Sequence, residues 1–210
     1  NGEDVISIEN DIEMNYLSEY TNSNNQTENV TFVLINDIDL NKGITIEKDG
    51  TISGGTPKNW NSIGTEESSF KGNIDGQGYS IKGMYNQGKG MIGYLENGNI
   101  ENITLNNNYL DGIENSGILI GEIKGEYSEI KNIISKDNYI IEGDRYIGGI
   151  IGGIYEGSTE CENLYANNTI SLIYGYSGYG TGGIVGYVEG KENNFYNCSI
   201  SHLLHLELVE

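Results

Sequence analysis

The sequence predicts an all-β fold, a right-handed parallel β-helix made of repeats of about 30 residues, with an N-terminal helical cap. Two repeated motifs and the amino-acid composition predict this fold. The chain of 210 residues contains 31 Gly and 16 Tyr but only one Pro. Short strands separated by glycine and asparagine turns account for this composition, and the turns leave no room for a helix within a repeat.

The first motif occurs four times and has the pattern Gly-x-apolar-aliphatic-Gly-x-aliphatic, with Lys89 in place of the first glycine in the first copy. Its central glycines are separated by 28, 31 and 34 residues. A unit that buries its apolar face only by stacking on its neighbours is a solenoid coil. The central glycines are Gly93, Gly121, Gly152 and Gly186.

The second motif places an asparagine in a short, mainly apolar run after each copy of the first motif, as in Ile100-Glu-Asn102-Ile103. Because the motif recurs with the same period, its asparagines are predicted to occupy equivalent turns. Side chains stacked in this way can form a ladder in which each amide donates a hydrogen bond to the next. We therefore predict a structural role, and no ligand role, for Asn102, Asn132, Asn163 and Asn197.

Alternation along the first motif assigns its residues to two faces, because neighbouring strand residues point to opposite sides. One face holds only glycines and apolar residues and is predicted to lie inside. The other face is predicted to carry an aliphatic stripe, either covered by a neighbouring loop or free to dock another domain or protein. The stripe comprises Ile92, Ile120, Ile151 and Val185. The same outer face continues with Tyr94, Glu122, Gly153 and Tyr187.

The repeats divide the chain into three predicted parts. Residues 1–58 are expected to form an N-terminal cap of the same domain, residues 59–202 the parallel β-helix, and residues 203–210 a tail or terminal edge. The tail has lost the repeat pattern, so it is interpreted as a final edge strand, a short cap or residues foreign to the native protein.

A helix is predicted near the N-terminus, from Ser7 to Tyr20, and a strand from Val30 to Leu40. Apolar residues at a spacing of four form one stripe of an amphipathic helix. The helix is expected to cover the open end of the solenoid, since an uncapped end exposes strand edges to aggregation. The stripe comprises Ile8, Ile12, Tyr16 and Tyr20.

The charge balance and the scarcity of histidine exclude several functional classes. With 31 acidic and 11 basic residues, the formal net charge is −20, which argues against binding to nucleic acid or an anionic membrane. No apolar run is long enough to cross a bilayer. His202 and His205 do not form a metallopeptidase motif, and we expect no metal or cofactor. Cys161 and Cys198 are predicted to be free thiols, about 10 Å apart along adjacent coils.

Several motifs in order resemble the GLUG-motif bacterial surface proteins. They are Asn36-Asp-Ile-Asp-Leu40, Trp60-Asn-Ser-Ile-Gly64 and the run from Phe70 to Ile81, followed by the glycine repeats. That family includes adhesin-like extracellular proteins and the non-catalytic N-terminal region of secreted zinc peptidases of the IgA1-protease type. The resemblance covers residues 5 to 200 and implies an extracellular or cell-surface location.

Three functional hypotheses follow. The first is a non-catalytic module of a bacterial surface protein, monomeric within a larger polypeptide, that binds a host protein or glycan or acts as a spacer. The second is an accessory domain of a secreted zinc metallopeptidase. The third is a carbohydrate-binding or carbohydrate-active β-helix, with acidic residues near Arg145. A tyrosine- and glycine-rich run favours a binding role, because such loops make adaptable contacts; it contains Tyr174, Tyr176 and Tyr179.

Overall fold

Parallel strands stacked coil upon coil make up most of the protein in the computed structural model, which describes residues 4–24, 26–141, 145–173, 180–201 and 203–207. The fold is a parallel β-solenoid with an N-terminal helical cap, as the sequence predicts. Within the described ranges there is one helix, and all the remaining regular structure is strand.

The elements follow one another along the chain with short connections. The N-terminal segment contains β1 (Asp4–Ile8), α1 (Asp11–Asn22), β2 (Val30–Leu34), β3 (Ile38–Asp39), β4 (Thr45–Ile46) and β5 (Ile52–Ser53). The next segment contains β6 (Asn73–Asp75), β7 (Ser80–Lys82), β8 (Tyr85–Asn86), β9 (Ile92–Glu96), β10 (Asn99–Asn106), β11 (Tyr109–Asp111) and β12 (Ser116–Gly117). The third segment contains β13 (Ile120–Lys124), β14 (Tyr127–Ile141), β15 (Ile147–Gly148), β16 (Ile151–Ile154) and β17 (Ser158–Ile173). The last segment contains β18 (Thr181–Gly182), β19 (Val185–Val188), β20 (Glu192–Tyr196), β21 (Ser199–Ile200) and β22 (Leu203–Glu207).

Three parallel sheets form the walls of the solenoid. The largest has 13 strands and includes β1, β2, β6, β10, β14 and β17. The second consists of β9, β13, β16 and β19, and the third of β12, β15 and β18. Equivalent positions of successive repeats are in register, for example Ile100, Ile130 and Cys161, which are all fully buried. The core therefore consists of columns of apolar side chains, one from each coil.

The central glycines of the first motif allow neighbouring coils to approach closely. A Cβ atom added to Gly121 would lie 2.7 Å from the carbonyl oxygen of Gly93, and one added to Gly152 would lie 2.6 Å from that of Gly121. At Gly186 the corresponding distance, to the carbonyl oxygen of Gly152, is 2.7 Å. No side chain fits at this distance, so backbone packs directly on backbone along this column.

The aliphatic stripe predicted for the outer surface lies in the core instead. Ile92, Ile120 and Ile151 are fully buried and Val185 is partly buried. The chain bends immediately before each of these four residues. Side chains alternate between the two faces only along extended backbone. The first residue after a bend therefore need not share a face with the residue two positions later in the strand. The prediction of an exposed docking stripe is therefore wrong.

The helix α1 begins later than predicted because Ser7 and Ile8 belong to β1 and Asn10 caps the helix. The side-chain oxygen of Asn10 accepts hydrogen bonds from the backbone N–H groups of Ile12 and Glu13, at 3.0 and 3.2 Å. An asparagine in this position satisfies helix N–H groups that would otherwise lack partners. The cap therefore fixes the start of the helix at Asp11.

The buried face of α1 also differs from the predicted stripe. Ile12 and Tyr16 are 74% and 66% exposed. The helix docks on residues 61–68 partly through polar contacts: the Ser18 hydroxyl donates to the Asn61 carbonyl at 2.7 Å, and the Asn22 amide donates to the Ser62 carbonyl at 3.0 Å. Because this buried face of the helix includes polar residues, the spacing of apolar residues does not predict it. The residues buried on this face are Met14, Leu17, Ser18 and Thr21.

The predicted asparagine ladder is present. The side-chain amides of Asn132, Asn163 and Asn197 each donate to the side-chain oxygen of the corresponding asparagine in the preceding coil, at 2.8, 2.8 and 2.7 Å. Asn102 donates to a carboxylate oxygen of Asp75 at 2.9 Å, which begins the ladder. All four asparagines have φ between 51° and 58°. Asparagine tolerates this left-handed conformation better than most residues do, which favours it at these turns.

A second asparagine ladder lies inside the protein and was not predicted. Asn108, Asn138 and Asn168 are almost fully buried. The Asn108 amide donates to the Asn138 side-chain oxygen, and the Asn138 amide donates to that of Asn168, both at 2.9 Å. The Asn138 amide also donates to the Leu105 carbonyl at 3.0 Å. Burial of these amides is tolerable because their polar atoms have hydrogen-bond partners.

The apolar columns are open at the last described coil. Val188, Phe195 and Ile200 are 43%, 41% and 50% exposed, although the equivalent residues of the preceding coils are buried. The strand β22 pairs in parallel with β17, so residues 203–207 extend this last coil as an edge strand.

Both cysteines are free thiols in the structure. Cys161 is opposite Phe195 in the strand register, so Cys198 lies three residues further along the neighbouring strand. Burial raises the pKa of the Cys161 thiol to about 12. The thiol therefore stays protonated at neutral pH, and we expect it to be unreactive.

Candidate functional site

The outer face of the four-stranded sheet carries a cluster of aromatic and charged side chains. Tyr94, Glu122, Gly153 and Tyr187 are opposite one another in the strand register of β9, β13, β16 and β19. Tyr94, Glu122 and Tyr187 are partly exposed, in agreement with the outward orientation predicted for this column. We refer to the surface formed by Tyr94, Glu122, Tyr155 and Tyr187 as the tyrosine face.

Gly153 makes room for an aromatic ring within this column. A Cβ atom at Gly153 would lie 2.6 Å from a ring carbon of Tyr155, so the Tyr155 ring occupies the space that a side chain would fill. The ring centroid of Tyr187 lies 5.3 Å from that of Tyr155 and 4.4 Å from that of Tyr146. Aromatic rings at these separations attract one another, so each ring limits the movement of the next.

A hydrogen-bonded network connects the two ends of the tyrosine face. The Lys89 ammonium lies 2.5 Å from a carboxylate oxygen of Glu122 and 4.9 Å from the centroid of the Tyr94 ring. The amide of Asn115 donates to the same Glu122 oxygen at 3.1 Å, and the Tyr155 hydroxyl donates to the side-chain oxygen of Asn115. The side chains of Lys89 and Glu122 are only 13% and 18% exposed, so their ion pair is shielded from solvent more than a surface pair is.

The electrostatic environment keeps the phenol groups neutral. Burial, together with the negative charge of Glu122, raises the pKa of Tyr94 to about 12. The same two causes raise the pKa of Tyr155. A neutral phenol is both a hydrogen-bond donor and an acceptor, and its ring remains an apolar surface.

A shallow depression of about 600 Å³ adjoins the tyrosine face. The residues that line it include Ile113, which is 49% exposed, and also Lys89, Tyr94, Asn115 and Glu122. With Glu66 and Glu114, which also line it, the depression combines an aromatic ring, an aliphatic side chain, three carboxylates, an amide and an ammonium group. Such a set can bind a neutral polyhydroxylated molecule, because hydroxyl groups pair with the polar atoms and C–H faces pack on the rings.

The structure separates the residues predicted to form a binding surface. Ile92, Ile120 and Ile151 are in the core, as described above, and Tyr174, Tyr176 and Tyr179 lie outside the described residues. The tyrosine face instead combines two tyrosines of the predicted outer column with Tyr155, whose position depends on the missing side chain at Gly153.

A carbohydrate-active site, a metal site or a membrane span would each need a particular set of residues. Arg145 lies next to the depression, and its side chain forms an ion pair with Glu114 at 2.9 Å. Across the described ranges, no three His, Cys, Asp or Glu side chains are grouped in a way that would hold a metal ion. The described part of the chain also has no helix of the length and apolar character needed to span a membrane.

Comparison with known proteins does not extend these observations, since no family model, curated protein or solved structure matches the chain. The fold defines the protein as a parallel β-solenoid. The resemblance to GLUG-motif proteins stays a prediction based on the motifs quoted above.

Proposed function

We propose that this chain is a non-catalytic binding module of a bacterial cell-surface protein and that it binds neutral glycans through the tyrosine face. The observation that carries the proposal is the set of partly exposed tyrosine rings on one sheet face, next to a carboxylate and an amide that hydrogen bonds hold in place. Sugar rings offer C–H faces and hydroxyl groups, and these match aromatic rings and polar side chains respectively.

The charge of the protein supports a neutral ligand. A net charge of −20 repels acidic polysaccharides at long range. Two bases near the depression form ion pairs, Lys89 with Glu122 and Arg145 with Glu114. A third, Lys124, lies 5.2 Å from the centroid of the Tyr94 ring. The extracellular location belongs to the same proposal and is supported by the resemblance to GLUG-motif surface proteins.

The test is binding of the purified protein to an array of immobilised neutral and acidic oligosaccharides. We expect binding to neutral members, and we expect Tyr187→Ala to weaken it by about tenfold or more, as removal of an aromatic contact with the ligand does. Tyr127→Ala is the matched control, because Tyr127 is an exposed tyrosine of the 13-stranded sheet.

Three results would contradict the proposal: no neutral glycan is retained, the two variants weaken binding equally, or only acidic glycans bind. Circular dichroism of both variants shows whether either has lost its fold. A parallel array of host extracellular proteins serves as a comparison, since retention there with no glycan binding would assign the module to protein recognition instead.

A further inference from the structure

Among the described strands, β1 pairs only with β2, so its other edge has no strand partner there. The Asp4 N–H donates to the Asn29 carbonyl at 3.1 Å, and the Ile8 carbonyl accepts from the Ile35 N–H at 3.0 Å, so these residues pair towards β2. The N–H and C=O groups of one strand residue point to the same side, and successive residues alternate. The peptide groups of Val5 and Ser7 therefore point away from β2, where no strand of the described residues pairs with β1.

An apolar groove of about 280 Å³ adjoins this edge, between β1, α1 and β2. Ile6 and Tyr16, which are both exposed, line its opening, and Leu17 and Phe32 lie deeper. A strand added to β1 would direct alternate side chains to the side of Ile6, which is the side of the groove. The groove is thus placed to hold apolar side chains of an added strand.

The surroundings of the groove are acidic. Residues 1–41 contain nine Asp and Glu and no Lys or Arg. Glu13 lines the groove and Asp4 lies in β1. Three described acids of this segment form ion pairs with lysines from elsewhere in the chain: Asp11 with Lys42, Glu28 with Lys71 and Asp39 with Lys82. A bound segment that carries basic residues would therefore meet favourable charges on entering.

We propose that β1 and its groove bind an extended basic segment of another protein by strand addition. Its backbone pairs with the peptide groups of Val5 and Ser7, as in other cases of peptide binding at a sheet edge. Alternate apolar side chains of the segment enter the groove beside Ile6 and Tyr16. The basic side chains between them point to the opposite face of the sheet, where Asp75 is aligned with Ser7 through Val33 of β2. This surface is distinct from the tyrosine face, so neither proposal depends on the other.

The probe is a fluorescein-labelled peptide in which lysine and valine alternate, and its binding to the full chain is followed by fluorescence anisotropy. Val5→Pro removes an edge N–H without touching the pairing with β2, a place where proline is compatible with an edge strand. We expect this variant to bind the peptide at least about tenfold more weakly than the unchanged protein does. Val5→Thr keeps the N–H and should bind like the unchanged protein.

Two further comparisons make the result decisive. Tyr16→Ala, which removes an exposed helix side chain, should also weaken binding, whereas Tyr187→Ala should leave it unchanged. A peptide with glutamate in place of lysine should not bind. The proposal is overturned if the probe does not bind, if Val5→Pro binds as well as Val5→Thr while both remain folded by circular dichroism, or if the glutamate peptide binds equally well.

Discussion

The two asparagine ladders use the same hydrogen bond in different surroundings. In the ladder of Asn102, Asn132, Asn163 and Asn197 the bonds beyond the first rung are exposed. In the ladder of Asn108, Asn138 and Asn168 they are buried. Water can replace a lost partner in the first case but not in the second, where an unpaired polar atom costs its full desolvation. The comparison teaches that stacked amides need not contribute equally, because burial sets the cost of a missing rung.

The largest expected effect is at the centre of the buried ladder. Asn138→Ala removes an amide that donates to Leu105 and Asn168 and an oxygen that accepts from Asn108. The Asn108 backbone N–H then loses its acceptor in the core, whereas the side chains of Asn108 and Asn168 keep hydrogen bonds to Ile81 and Ser135. We therefore expect the free energy of unfolding to fall by about 3 kcal/mol. Urea denaturation measures this change. If Asn138→Ala lowers the free energy of unfolding less than the exposed-ladder variants do, water replaces the lost partners in the core. In that case burial does not set the cost of a missing rung.

An intermediate effect is expected at the centre of the exposed ladder. Asn132→Ala removes one donated and one accepted hydrogen bond and places an alanine at φ 54°. The strain and the lost bonds together should cost about 2 kcal/mol. Asn132→Gly removes the same bonds without the strain and should cost less. Equal losses for the two variants would mean that the left-handed turn is not the reason for asparagine here.

The smallest effect is expected at the last rung. Asn197 donates to Asn163 at 2.7 Å and lies on the last described coil, where it is exposed. Asn197→Ala should therefore lower the free energy of unfolding by about 1 kcal/mol, because one solvent-exposed bond and one strained turn are affected. The thermal midpoint of this variant, compared with that of Asn132→Ala, tests the order. A larger shift for Asn197→Ala would show that the last coil controls unfolding.

The repeats made the fold and the exposed ladder predictable from the sequence. Glycine at positions such as Gly121 and asparagine at positions such as Asn132 recur because backbone packing and left-handed turns require these residue types. The buried ladder was missed although Asn108, Asn138 and Asn168 are spaced 30 residues apart. Asparagine is usually found at turns and surfaces, so only its period of 30 residues indicates a place in the core.

The candidate site was only partly predictable. The outward orientation of Tyr94 and Tyr187 follows from strand alternation within the motif. Tyr155 and Asn115 join them through tertiary packing, since one fills the space at Gly153 and the other bridges Tyr155 and Glu122. The error at Ile120 has a local cause, the bend before the strand, which the sequence pattern does not reveal.

The directions of the two ladders have a consequence for the length of the solenoid. The exposed amides donate towards the N-terminal end, as Asn132 does to Asn102, and the buried amides donate towards the C-terminal end, as Asn138 does to Asn168. Their dipoles are therefore opposed along the stacking axis. Aligned peptide dipoles leave partial charges at both ends of an α-helix. We expect the opposed ladders to leave no such axial field from their side chains, so that further coils could be added without an accumulating electrostatic cost.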